Sequence, residues 1–260
     1  MGLNLDAIKA KLNQLNRTDD RRNNLWKPEA GKTRVRIVPY VHRKDNPFLE
    51  LYFHYDIAKR SMLSPVSFGN ADPVVEFAEK LKKTGDKDEW LMGRKIEPKM
   101  RTYVPVIVRG KEADGVKFWG FGKTIYTELL SIVSDPDYGD ITDLLNGRDI
   151  DVEFTPAEGG GYPKTAIRVK PNTSAATEDK AIAEKIMNQP KITDIFPEPT
   201  YEELEQALKD WMEPEDDSSD VSSSTTPSAG TSDANTASTE TKSEEKQTDV
   251  ASAFNDLFNK

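Results

Sequence analysis

In VKFWGFGK, residues 116 to 123, strand alternation sends Lys117, Trp119 and Phe121 to one side with Lys123 at the end, and Val116, Phe118 and Gly120 to the other. Cation, indole, phenyl and cation on one face make poor core and a good bed for a single strand of nucleic acid. Bases stack on aromatic planes at about 1–3 kcal/mol each, and Lys or Arg neutralise the phosphates between them. PKMRTY adds Lys99, Arg101 and Tyr103, and KTRVRI adds Arg34 and Arg36. The opposing reading buries Trp119 and Phe121 as core and leaves the cations solvated. Three separate segments that pair cations with aromatic or polar neighbours favour the binding surface.

Other chemistry has less to draw on. Asp135, Asp137, Asp140, Asp149, Asp151 and Glu153 offer carboxylates for a two-metal nuclease. Asp135, Asp137 and Gly139 also imitate part of a calcium loop, but Asn146 stands where the twelfth-position Glu belongs. Asp149, Asp151 and Glu153 alternate along a strand and can simply face water. Neither a Walker loop nor GxGxxG is present, and no Ser-His-Asp arrangement can be assembled. The chain has no cysteine, and His42 and His54 are its only histidines. Thiolate sites and disulfides are thereby excluded, no metal or other cofactor is expected, and a cytoplasmic setting fits. The expectation is a binding protein, not an enzyme.

The elements that must position these residues read as follows. GKTRVRIVPY, FLELYFHYDI, RTYVPVIVRG and GVKFWGFGK are strands, and GRDIDVEFTP and PKTAIRVKP form a strand pair around EGGGYP. PVVEFAEKLKKTG is a helix from Pro73 to Gly85, and TIYTELLSIV, EDKAIAEKIMNQ and TYEELEQALKDWM are further helices. LDAIKAKLNQL places Leu5, Ile8, Leu12 and Leu15 on one face of a short helix that must dock on its own body or on a neighbouring copy. Short strands with interspersed helices make a mainly β, α+β protein, and an OB-like barrel core with a helical subdomain best matches one basic face with interleaved aromatics.

Charge divides the chain. Residues 1–123 carry 25 Lys and Arg against 16 Asp and Glu, whereas the whole chain has net charge −9. A basic front joined to acidic rear segments predicts a polyanion surface with built-in competitors for it. Residues 213–260 are too polar to fold, yet they end in DVASAFNDLFNK. Phe254, Asp256, Leu257 and Phe258 on such a disordered acidic tether read as a handle for another protein. The division is residues 1–20 for self-association, 21–212 for the core and 213–260 for the tail. No run of about 18 apolar residues exists, so no membrane span is expected.

WKPEAGKTRVRIVP, then KMRTYVPVIV, then GVKFWGFGKTIYTEL, then a Ser/Asp-rich tract ending in DLF: taken in this order the chain resembles the helix-destabilising single-stranded DNA-binding proteins of T-even-type bacteriophages. The resemblance covers roughly residues 20 to 210 and the tail. It implies cooperative self-assembly on DNA through the N-terminal segment, and an OB-fold core holding single-stranded DNA in a basic aromatic cleft. It also implies an acidic tail that recruits replication, recombination and repair proteins in the cytoplasm of an infected bacterium. Arg36, Arg101, Tyr103, Trp119 and Lys123 fall in that cleft, with Trp119 as a stacking aromatic. Family members often hold a structural zinc with one His and three Cys. Here Asp72 and Val75 stand in the corresponding stretch and His54 keeps a ligand position, so zinc is expected to be absent. Packing of Val74, Phe77 and Leu81 then holds that region together. An RNA-binding OB protein and, more remotely, a metal-dependent nuclease are the alternatives.

Overall fold

In a computed structural model the described residues are 23–212, except Lys44 and Lys59, together with Lys9. Apart from Lys9, the self-association segment 1–20 lies outside them, as does the tail 213–260 with Phe254, Asp256, Leu257 and Phe258. The described chain is a mixed α and β protein. Its strands are β1 (Leu25–Trp26), β2 (Gly31–Ile37), β3 (Leu49–His54), β4 (Met62–Leu63), β5 (Lys99–Val108), β6 (Lys117–Phe121), β7 (Gly147–Thr155) and β8 (Lys164–Ser174). Its helices are α1 (Pro73–Lys83), α2 (Lys87–Ile96), α3 (Lys123–Val133), α4 (Lys180–Met187), α5 (Ile192–Ile195) and α6 (Tyr201–Met212). The described residues form two compact units, unit 1 from 23–53 and 100–198 and unit 2 from 54–99 and 199–212.

Unit 1 is the sheet unit. Its strands run in the order β1-β6-β5-β2-β7-β8, with β3 against β5 off this path. β1 pairs parallel with β6, and the β2–β5, β2–β7, β5–β6 and β7–β8 pairs are antiparallel. β1 and β8 end the path, so its hydrogen bonding does not close on itself. Alternate residues of four strands supply the inner face: Val35 and Ile37, Val104 and Val106, Trp119 and Phe121, Ile150 and Val152. α3 covers this core with Ile125, Tyr126 and Leu129, the stripe that TIYTELLSIV encodes at helical spacing. Each aliphatic side chain so buried contributes about 1.5–3 kcal/mol. The loop between β7 and β8 turns on Gly159 and Gly160, whose φ values of 57° and 82° suit residues without a Cβ. On the outer side, Ile186 of α4 packs with Val38, Ile107, Val116 and Ala176.

Unit 2 is helical. Val74, Phe77, Ala78 and Leu81 of α1 share a core with Ile57, Ile96, and Leu204 and Leu208 of α6, as the spacing of PVVEFAEKL predicts. Asp72 caps α1 by accepting from the Val74 and Val75 amides, with Pro73 in the first turn. α2, KDEWLMGRKI, is not among the elements expected from the sequence, although Asp86 caps it. It approaches α1 through Gly93, where a Cβ would lie 2.8 Å from the Ala78 carbonyl oxygen, and adds Ile96 and Met92 to the shared core. His54 is fully buried here. Its Nδ1 donates to the Ile96 carbonyl and its Nε2 lies 2.9 Å from Asp72 Oδ2, which also accepts from Ser64 Oγ.

Candidate nucleic-acid interface

Alternation along β6 groups Lys117, Trp119 and Phe121 as expected, but this is the inner face. Trp119 is 1 % exposed and Phe121 4 %. Their rings meet at 4.7 Å between centroids, and Trp26 of β1 meets Trp119 edge-on at 5.6 Å. The expectation that these rings face a DNA strand is therefore corrected: they are core. The cause is that β6 is flanked by β1 and β5 and carries large apolar residues on both sides, since Phe118 is also buried, against Tyr40. Lys117, at the start of the strand, is half-buried and donates to the Asn23 carbonyl.

Tyr103 is on the opposite face and is also buried. Its ring packs against Phe196 and Phe53 at 4.9 and 6.1 Å and lies flat over Gly120, where a Cβ would come within 2.6 Å of Cε1. It too presents no open ring for stacking. Arg101 is exposed and donates from Nη2 to the Gly120 carbonyl at 3.1 Å. Since Thr102 pairs with Phe121 at the end of β5–β6, Arg101 lies beside Gly122 and Lys123. Lys123, also exposed, opens α3, whose N-cap is Gly122. No side chain caps that terminus and its first turn holds no carboxylate, so its amides are left to solvent or an anion. Lys99, at the edge of unit 2, is exposed and ion-pairs with Asp56 at 3.3 Å.

The arginines of β2 have partners inside the protein. β2 and β7 are in a register that places Lys32 opposite Glu153, Arg34 opposite Asp151 and Arg36 opposite Asp149. Arg36 is completely buried. It donates to Asp149 Oδ1 at 2.9 Å, to the Ser174 carbonyl at 2.9 Å and to Ser174 Oγ at 2.6 Å. Arg109 grips the same carboxylate through Nε and Nη2. Burial pushes the Arg36 guanidinium below its ordinary pKa, an effect Asp149 opposes and Arg109 reinforces. Arg36 therefore holds the sheet together and is withdrawn as a DNA contact. Arg34 stays nearly half exposed while its Nε bonds Asp151 at 2.9 Å. Asp151 itself is 3 % exposed, and the Nζ atoms of Lys32 and Lys170 approach its Oδ2 at 2.9 and 2.8 Å. Burial raises its pKa, but Lys170, Arg34 and Lys32 together hold it well below the usual carboxylate range.

Of the nine residues expected at a cleft, Arg34, Lys99, Arg101 and Lys123 are thus exposed cations, Lys117 is tied back, and Arg36, Tyr103, Trp119 and Phe121 are buried. Sequence reasoning missed that Asp149 and Asp151 are the partners of Arg36 and Arg34. The signal was present: KTRVR and RDIDVE carry opposite charges at the same two-residue period, as paired strands should. Asp149 and Asp151, two of the six carboxylates considered for a two-metal site, are ion-paired within the sheet. The residues at the zinc position implied by the resemblance do not fit zinc either: no thiolate is available, and both His54 nitrogens have hydrogen-bond partners.

A scan of the sequence against protein-family models finds no match, and a search of curated proteins finds none.

Proposed function

We propose that this chain is a non-enzymatic single-stranded DNA-binding protein whose unit 1 holds the strand. On this reading it coats and protects unpaired DNA during phage replication, recombination and repair, in the cytoplasm of an infected bacterium. Residues 1–20 serve cooperative assembly with further copies, and the apolar tip of the tail recruits replication proteins. A ligand that binds only the single strand displaces duplex toward single strand by mass action, so melting needs no fuel.

Two features of unit 1 support the reading. The order β6-β5-β2-β7-β8, with α3 between β6 and β7, is compatible with an OB-type arrangement left open, with β1 on the free edge of β6. The observation that carries it is the juxtaposition of Arg101, Lys123 and the uncapped N-terminus of α3 at one end of β5–β6, the strand pair that OB folds use for oligonucleotides. Trp119 and Phe121 support that pair from beneath.

The test is anisotropy of a fluorescein-labelled dT oligomer titrated with full-length protein across a salt series, with matched duplex and RNA as competitors. The single strand is expected to bind in preference to both, with log affinity falling linearly against log salt. R101Q and K123Q should each lower that slope by about 0.7, the value for one phosphate contact on a single strand. Equal affinity for duplex would overturn the reading, preference for RNA would move it to RNA, and unchanged slopes in both variants would remove the proposed contacts.

A further inference from the structure

The outer face of β2, β7 and β8 carries a cluster of cations distinct from Arg101 and Lys123. Thr33, Val35, Ile150, Val152, Ile167 and Val169 point from these strands to the inner side, where the last five join the core or pack on it. The alternate positions carry Lys32, Arg34 and the buried Arg36 on β2, Asp149, Asp151 and Glu153 on β7, and Lys164, Arg168 and Lys170 on β8. That is six cations against three carboxylates; setting aside the Arg36–Asp149 pair leaves five against two, and Asp151 is itself buried beneath its partners. Lys32, Arg34 and Lys170 are therefore drawn in around a single hidden charge while each stays partly exposed. Arg168 stands opposite Asp151 in the β7–β8 register and is exposed, as is Lys164 at the mouth of the hairpin. Side chains two residues apart on β8 are about 6.6 Å apart along the strand, comparable with consecutive phosphates of an extended nucleic-acid strand. Next to Lys164 the Gly-rich loop 156–163 carries Tyr162, 89 % exposed and the most exposed aromatic among the described residues.

We infer that this face is a second DNA track: it takes the phosphodiester backbone of a single strand along Lys164, Arg168 and Lys170, and Tyr162 stacks on one base. The inference rests on the proposed single-strand binding and extends it to a surface that Arg101 and Lys123 do not occupy. Three features agree. The buried Asp151 carboxylate fixes Lys170 of this row before any ligand arrives, with Lys32 and Arg34 held beside it, which lowers the entropy cost of ordering that cation. An exposed tyrosine beside a row of cations supplies the stacking platform that the buried Trp119 and Phe121 do not. The loop that bears it joins the last two strands, a position from which OB-type sheets contact oligonucleotides. Glu153, exposed opposite Lys32 on β2 and Ala166 on β8, lies beside the stretch between Lys164 and Arg168, so the strand must run on the far side of β8 from it.

The experiment uses full-length K164E/R168E, full-length Y162A and a control, K180E/K191E, which makes the same change in net charge at exposed positions outside β2, β7 and β8. Labelled dT oligomers of two lengths are titrated across a salt series, with circular dichroism to verify folding. On the longer oligomer, K164E/R168E should bind at least about tenfold more weakly at low salt, with a slope reduced by about 1.4 for two lost phosphate contacts, while the control barely changes. Y162A should weaken binding at least about fivefold with the slope unchanged, as expected for lost stacking. If K164E/R168E matches the control, or Y162A matches wild type, the inference is overturned while R101Q and K123Q still report on the first site. If wild-type protein binds no single strand at all, both readings fall.

Discussion

Replacing Trp119 by Ala separates a core tryptophan from a base-stacking one. The side chain is 1 % exposed, edge-on to Trp26 and Phe121, and opposite Val104 on β5. Truncating such a residue removes its transfer free energy and leaves a cavity that the two neighbouring strands cannot close, a loss of about 3–5 kcal/mol in stability. A stacking residue would instead lose about 1–3 kcal/mol in binding and little in stability. With a urea dependence of about 2 kcal/mol per molar, a loss of about 4 kcal/mol moves the midpoint by about 2 M. The assay is urea unfolding followed by circular dichroism, paired with dT-oligomer anisotropy at a temperature where the variant is still folded. The expected outcome is a midpoint lowered by about 2 M and, for the folded fraction, near-normal affinity. An unmoved midpoint with affinity reduced about tenfold or more would refute the burial argument and return Trp119 to the surface.

Two more consequences follow from the charge ladder. D149N leaves Arg36 and Arg109 without their shared carboxylate, Arg36 in a fully buried position, and should cost about 3–5 kcal/mol in urea unfolding. A labelled single strand incubated with magnesium should stay intact with both wild type and D149N; cleavage by wild type that D149N abolishes would establish the nuclease alternative instead. The pH dependence has a definite sign. Asp151 is held below the ordinary carboxylate range, as is Asp72, where burial is outweighed by His54, Ser64 and the Val75 amide. A depressed carboxylate stabilises fully above its unfolded pKa of about 3.9 and loses that contribution as pH falls toward the folded value. Stability should therefore be level above about pH 5 and fall below about pH 4, and D151N should be less stable at neutral pH with a shallower acid limb; an equally steep limb in D151N would disprove the assignment.

Much of the fold is legible in the residues. Asp72 followed by Pro73 and the apolar spacing of Val74, Phe77 and Leu81 specify α1 and its buried face, because capping and helical periodicity are local properties. The hairpin around EGGGYP and the period-two strands on either side are local too, and the structure has them where expected. α2 was missed although Asp86 caps it and Met92 and Ile96 reach the shared core; only its close approach to α1 at Gly93, a backbone contact, leaves no trace in the residue pattern. The candidate site divides in the same way. Alternation told which residues of VKFWGFGK share a face, and the structure keeps that grouping. It could not tell which face is covered, because cover comes from β1 and β5 on either side and from α3 folding back over the sheet. In the same way, two strands with opposite charges 113 residues apart in sequence contain the Arg36–Asp149 pair only once register has joined them. Sequence by itself determined the elements and the two sides of each strand. Tertiary structure decided which side became interior and which cations were left for a ligand, because burial is a property of what packs on a residue, and that depends on chain segments far from it.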